Sequence, residues 1–184
     1  TWTAVLDQHY WLGETGGYAM TADDTEALIV RTRAAHDDAT PNANAIMPGN
    51  LVALFQITGE AAYFERAEAL LAAFSGDIAR NPIGHTGVMG SAMDVLSPQM
   101  LALIGDREPF KAVLRQMSLP GTVVQVMADT TSVPDGSPLA GKTAKDGKPT
   151  AYFCASGTCS LPVTDANALE DLLRAGRELQ SPPA

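Results

Sequence analysis

Residues 35–47 read "AHDDATPNANAIM" and place His36, Asp37 and Asp38 beside a Pro-Asn turn, just ahead of an apolar run. Imidazole and carboxylate groups are the side chains most often used to move protons near neutral pH. Two adjacent carboxylates in extended chain point to opposite sides, so Asp37 and Asp38 do not form an acid/base dyad by themselves. One suits an Asx-type turn before Thr40-Pro41, and the other suits the positive end of a helix dipole. The structural use is preferred, and both residues remain catalytic candidates. His36 and Asn44 are candidate ligand contacts in the same stretch, and Asn44 is the expected N-cap of the following helix.

A second candidate, His85, follows "NPIG" and should lie at a helix N-terminus. A neutral imidazole there can serve as base or electrophile, although a capping or surface role is the commoner one. Trp11 and Tyr18, together with Phe153, are aromatic groups suited to a sugar platform or to the core, with the core preferred. "CASGTC" separates Cys154 and Cys159 by four residues, which is not the C-x-x-C spacing of thioredoxin-type chemistry. A zinc site needs four ligands and no second Cys/His pair follows, so no metal is expected. Reduced, packed thiols are preferred for this pair, with a local disulfide across a strand-end turn as the alternative. "GDREP" (105–109) after an apolar run lacks both G-x-G-x-x-G and a P-loop, so a structural βαβ unit is expected and no cofactor.

Helical periodicity predicts elements near Trp2–Tyr10, from Asn44 to Ile57 with Pro48 in the first turn, over 61–76 and over 85–96. "TGGYAMTADD" reads as a turn with a short extended piece, and "ALIVRTR" (27–33) as an extended segment. The pattern changes near Pro98. "QMLALIGD", "REPFKAVLRQM" and "GTVVQVMAD" read as strand, helix and strand, which is one βαβ unit. A polar Gly/Pro-rich loop (130–149), a strand and turn (150–163) and an amphipathic helix (164–179) capped by Thr164 or Asp165 complete the chain, and the tail "QSPPA" should fray. The expected fold is mainly α with a small α/β part. Residues 1–97 form helical hairpins and residues 98–184 a small α/β segment.

The chain has 184 residues, 46% of them hydrophobic and 18% charged, with a formal charge of −9. A chain of this length can bury roughly 70% of its unfolded surface without metal or disulfide. No Lys/Arg cluster and no membrane-length apolar run appear, so neither nucleic acid nor membrane is an expected partner, and a cytoplasmic location is expected. The chain opens at Thr1 inside a helical pattern, which suggests a processed or cut piece of a longer protein.

The order "GGYAMTADD … LIVRTRAAHDDATPNANA … ITGEAAYFERAEALLAAFSG … AYFCASGTCSLPVTDANALEDLL" resembles the C-terminal part of the YyaL-type, spermatogenesis-associated protein 20-like family of thioredoxin-domain-containing proteins. One departure is Pro41-Asn42-Ala43-Asn44, where the family usually reads Pro-Ser-Gly-Asn. The resemblance implies a thioredoxin-like domain, then an α/α toroid like those of N-acylglucosamine 2-epimerases and six-hairpin glycosidases, then a small α/β segment. This chain would hold the last helical hairpins and that segment. "HDDATPNAN" and "NPIGH" would then lie near the toroid rim, where Asp37, Asp38, Asn44 and His85 could meet a sugar. The resemblance carries over no established catalytic residue. Two functions are therefore expected in competition: a non-catalytic scaffold or partner surface, inactive when isolated, and a sugar-binding or sugar-processing toroid in the full-length protein. Expected partners are the rest of the toroid with its thioredoxin-like domain, or another copy of the chain.

Overall fold

The computed structural model describes residues 2–26 and 29–178. Thr1, Ala27 and Leu28 at the start of the predicted extended segment, the last residue of the predicted final helix and the tail all lie outside the described residues. Among the described residues the chain is mixed α/β, with six α-helices and one four-stranded sheet. No helix among them is long and apolar enough to cross a membrane. The chain forms two compact units, Thr1–Val52 with Ala61–Val95, and Ala53–Glu60 with Leu96–Ala184.

The first unit is helical. It contains α1 (Trp2–His9), the first part of α2 (Ala43–Thr58), α3 (Ala61–Arg80) and most of α4 (Thr86–Leu96). In α3, Ala67, Leu70 and Phe74 recur at three and four residues and are buried, the stripe expected of an amphipathic helix. This helix continues past Gly76 to Arg80. A glycine inside a helix costs only about 1 kcal/mol relative to alanine, and the Arg80–Asp77 ion pair favours the last turn. Helix α2 begins at Ala43, so Pro48 is its sixth residue and lies beyond the first turn. Proline there removes one helical hydrogen bond.

The segment 29–38 does not form a strand. Its Thr32 carbonyl accepts the Met20 N–H at 2.9 Å, and its arginine side chains tie it to the preceding loop. Arg31 Nη2 donates to the carbonyls of His9 (2.5 Å) and Thr21 (2.8 Å), and Arg33 Nη1 donates to that of Gly16 (2.8 Å). The centre of this arrangement is Asn44, which is fully buried. Its Oδ1 accepts the Tyr18 N–H at 2.8 Å, and its Nδ2 donates to the carbonyls of Tyr18 (2.8 Å) and Ala34 (2.9 Å). Asn44 is therefore not the N-cap of α2. That role falls to Asn42, whose Oδ1 accepts the Asn44 N–H at 2.9 Å.

The second unit is built on a sheet of order β2-β1-β3-β4. Strand β1 (Gln99–Ile104) pairs parallel with β2 (Thr122–Met127) and antiparallel with β3 (Thr150–Ala155), and β3 pairs with the two-residue β4 (Thr158–Cys159). A 3-10 turn at Glu108–Phe110 and helix α5 (Lys111–Gln116) connect β1 to β2, giving the βαβ unit that the sequence predicts. Met100–Ile104 are all buried, because β1 is covered on both faces. On one face Leu101, Leu103 and Phe153 pack against Phe110, Val113 and the Leu169/Leu173 pair of α6 (Ala166–Glu178). On the other face Met100, Ala102 and Cys154 pack with Leu139 from the 130–149 loop. Asp165 caps α6 by accepting the Ala168 N–H at 2.9 Å.

Asn44→Ala leaves the Tyr18 N–H and two carbonyls without their partner inside the first unit. We expect a loss of about 3 kcal/mol in unfolding free energy, read from the urea midpoint. A change below 1 kcal/mol would show that water replaces the amide.

Candidate functional site

The residues around "HDDATPNAN" and "NPIGHTG" meet in the first unit. The Asp37 N–H donates to the Gly84 carbonyl at 2.8 Å. The Asp37 carboxylate accepts the Thr86 hydroxyl and the Gly87 N–H through Oδ2, both at 2.8 Å. It thus caps the N-terminus of α4 from fifty residues away in sequence. These two hydrogen bonds, backbone first, hold its carboxyl below the usual carboxylate range, with smaller contributions from His36 and His85. Asp37 is therefore ionised at neutral pH and already accepts two donors, which suits a cap better than a proton donor.

His85 closes a 3-10 turn (Ile83–His85) directly before α4, and it is buried. Its Nδ1 lies 2.8 Å from the Asn81 carbonyl, so Nδ1 carries the hydrogen and Nε2 the lone pair in the neutral ring. The exposed His36 meets it edge to face, with ring centroids 5.4 Å apart. Two glycines permit this approach. A Cβ on Gly84 would stand 2.5 Å from His36 Nε2, and one on Gly87 would stand 2.6 Å from Asp37 Oδ1. The sequence signal for this is "GHTG", which reads only as helix-friendly small residues until the Asp37 contact is known.

The other candidates are placed elsewhere. Asp38 is exposed, and its Oδ1 accepts the neighbouring Ala39 N–H, so it does not join Asp37 in a pair. Asn44 is enclosed by backbone and presents nothing to solvent. Trp11 and Tyr18 meet edge to face at 5.1 Å, and the Arg66 guanidinium lies 4.0 Å from the Trp11 ring centre. The Tyr18 hydroxyl donates to Asp7 at 2.7 Å. Burial first, and that hydrogen bond second, push its phenol well above the ordinary range. Tyr18 is buried and Trp11 half-buried, and both rings carry packing contacts within the first unit.

Cys154 and Cys159 are disulfide-bonded, with Cα atoms 3.9 Å apart. The preference for reduced thiols is corrected here. The two residues are directly opposed on β3 and β4, and a two-residue turn sets that register. Two cavities of about 400 and 450 Å³ flank this hairpin in the second unit. None of Asp37, Asp38, His85, His36, Asn44, Trp11 or Tyr18 lines either one.

Sequence reasoning missed two groups. Asp94 on α4 is half-buried, and burial raises its carboxyl above the usual range. It packs so closely on α2 that a Cβ on Gly49 would come within 2.9 Å of its Oδ2. The other is His9, whose Nδ1 lies 2.8 Å from Asp23 Oδ1 and 3.7 Å from Asp24 Oδ2. Among the described residues this is the one cluster offering three possible metal-ligand atoms within 4.8 Å of one another. Its hydrogen bond already accounts for the lowered carboxyl range of Asp23.

No family model matches the chain. It is similar to spermatogenesis-associated protein 20 of Homo sapiens, with 29% identity over 185 residues covering 91% of this chain. The protein of that name in Rattus norvegicus is 26% identical over 190 residues, covering 92% of this chain. The chain spans only 22% and 23% of the length of these curated relatives, and the match falls in their C-terminal region. The relationship is a distant homology to that region.

Asp37 and Asp94 should act on stability with opposite sign. The folded-state pKa of Asp37 is depressed, so its contribution is present above the unfolded value of about 3.9 and lost as pH falls through the folded value. In urea titrations Asp37→Asn should be less stable than wild type at pH 7, and the gap should close on acidification below about pH 4. The pKa of Asp94 is raised by burial, so stability is lost as pH rises from the unfolded value through the folded one. Asp94→Asn should melt at the same temperature as wild type or higher at pH 7, and a clear drop would reveal a partner that the carboxylate needs.

Proposed function

We propose that this chain is the C-terminal piece of a longer protein and acts there as a non-catalytic scaffold and partner surface. In this reading the helices of the first unit are the last hairpins of an α/α toroid, and a thioredoxin-like domain belongs to the preceding part. The observation that carries the reading is the use of Asp37. The most reactive-looking residue of the signature stretch is engaged as the cap of α4, while Asp38 accepts the neighbouring Ala39 N–H. The partner surface is α4. Met89 and Met93 stand four residues apart along it and are 44 and 60% exposed. Monomeric proteins rarely leave such a stripe uncovered. The occupant is helical chain from the preceding part of the full-length protein, in keeping with the small share of the relatives that this chain spans.

A sugar-processing reading retains one observation in its favour, namely that His36, Asp37 and His85 do gather at one helix start. Epimerisation would need a second proton-transfer group on the opposite sugar face, and an inverting hydrolase a second carboxylate ~6.5–9.5 Å away. Either would come from outside these 184 residues.

The 184-residue chain should show no epimerase or glycosidase turnover on simple sugars, and it should self-associate with concentration in light scattering. Met89→Glu with Met93→Glu should return it to a monomer. Sugar turnover that disappears in His85→Ala would overturn the scaffold reading. A wild-type chain that stays monomeric at every concentration would show that the exposed stripe does not drive association by itself.

A further inference from the structure

The hairpin carrying the disulfide is held without it. Its turn is Ser156-Gly157, with φ of 47° and 79°, the left-handed pair that suits a two-residue hairpin. The Ser160 N–H donates to the Phe153 carbonyl at 2.8 Å, the Phe153 N–H donates to Ser160 Oγ at 3.1 Å, and the Ser156 N–H donates to the Pro98 carbonyl at 3.0 Å. The bond closes a loop of sequence separation 5, and the shortest loops constrain an unfolded chain least. Structural need therefore accounts poorly for a disulfide at this point.

Its surroundings account for it better. Both cysteines line the cavity of about 400 Å³, together with Phe55, Pro98, Ser137 and Lys142. Cys154 is 5% exposed and belongs to the sheet core, whereas Cys159 is half-buried and also lines the second cavity beside α6. Cys159 is thus the more exposed partner of the bond, and Cys154 the more buried one. Lys142 makes no ion pair among the described residues, and its Nζ lies 5.3 Å from the centre of the Tyr152 ring. An ammonium group at a cysteine pocket favours thiolates, both the incoming one and the one that leaves.

We propose that Cys154–Cys159 is a thiol–disulfide exchange site, reduced from this pocket by a small dithiol. A thiolate of the dithiol attacks Cys159 Sγ, forming a mixed disulfide and releasing Cys154 as a thiolate into the pocket that Lys142 also lines. The second thiol of the reagent, deprotonated, then attacks the reagent sulfur of the mixed disulfide and releases Cys159. Two electrons and two protons pass to the protein, and the reagent leaves as its own disulfide. The attacked and leaving sulfurs are assigned by their burial, and the site is independent of the scaffold reading.

The test uses the native 184-residue chain and dithiothreitol. Without denaturant, millimolar dithiothreitol should open the bond within minutes, scored as two alkylated cysteines by mass spectrometry, while far-UV circular dichroism stays unchanged. Lys142→Gln should slow the reduction about five-fold at low salt, and Lys148→Gln should not. Cys154→Ser should leave a Cys159 that takes up one glutathione from glutathione disulfide. The proposal fails if the air-purified protein carries two free thiols or if reduction waits for unfolding in urea. Equal reduction rates in wild type and Lys142→Gln would also overturn it.

Discussion

The first unit depends on one buried amide. Asn44 sits where a neighbouring strand would otherwise supply hydrogen bonds, and it gives Tyr18 both a donor and an acceptor while also holding Ala34. Backbone groups taken out of water must find partners. Here a side chain does at Tyr18 and Ala34 what a sheet ladder does elsewhere. The position of Asn44 also fixes its neighbours. Asn42 caps α2 and donates to the His36 carbonyl at 3.2 Å, and the chain then delivers Asp37 to α4. The signature stretch is a set of linked supports that fix one loop.

Asp37 and Asp94 show how carboxylates near the same helix can differ. The first accepts a hydroxyl and a backbone amide at the positive end of α4 and prefers to be charged. The second is pressed against the backbone of α2, and burial disfavours its charge. An acid and a base with separated pKa values are often a catalytic pattern. Here each shift has a structural cause within the first unit. The residues nearest to chemistry, His85 and His36, meet each other edge to face beside the cap.

Periodic features were legible in the sequence. "MLALI" is a continuous apolar run because β1 is buried on both faces, and Leu169 and Leu173 mark α6 because one stripe faces the sheet. The alternatives left open for the cap of that helix resolve to Asp165. Features that rest on a single side chain left no period to read. Asn44 looked like a cap because asparagine near a helix start usually is one. Leu139, one apolar residue in a polar loop, is fully buried against the sheet, so the long loop is part of the core. The cysteine spacing fitted two states, and only the register of the two-residue turn separates them. The toroid rim was an expectation from resemblance, and nothing in periodicity or spacing addressed it.

Strand β2 ends the sheet, and among the described residues its outer edge has no strand partner. Its residues, "TVVQVM", carry no charge and no proline, and Val124 and Val126 are 42 and 43% exposed. Sheet edges of this kind are usually guarded by lysine, proline or a bulge against growth by a foreign strand. The nearest guards here are Pro120 and Asp129, which stand just outside the strand. A strand edge of this composition is held in check mainly by its short length, six residues, so the strand that could add to it is equally short.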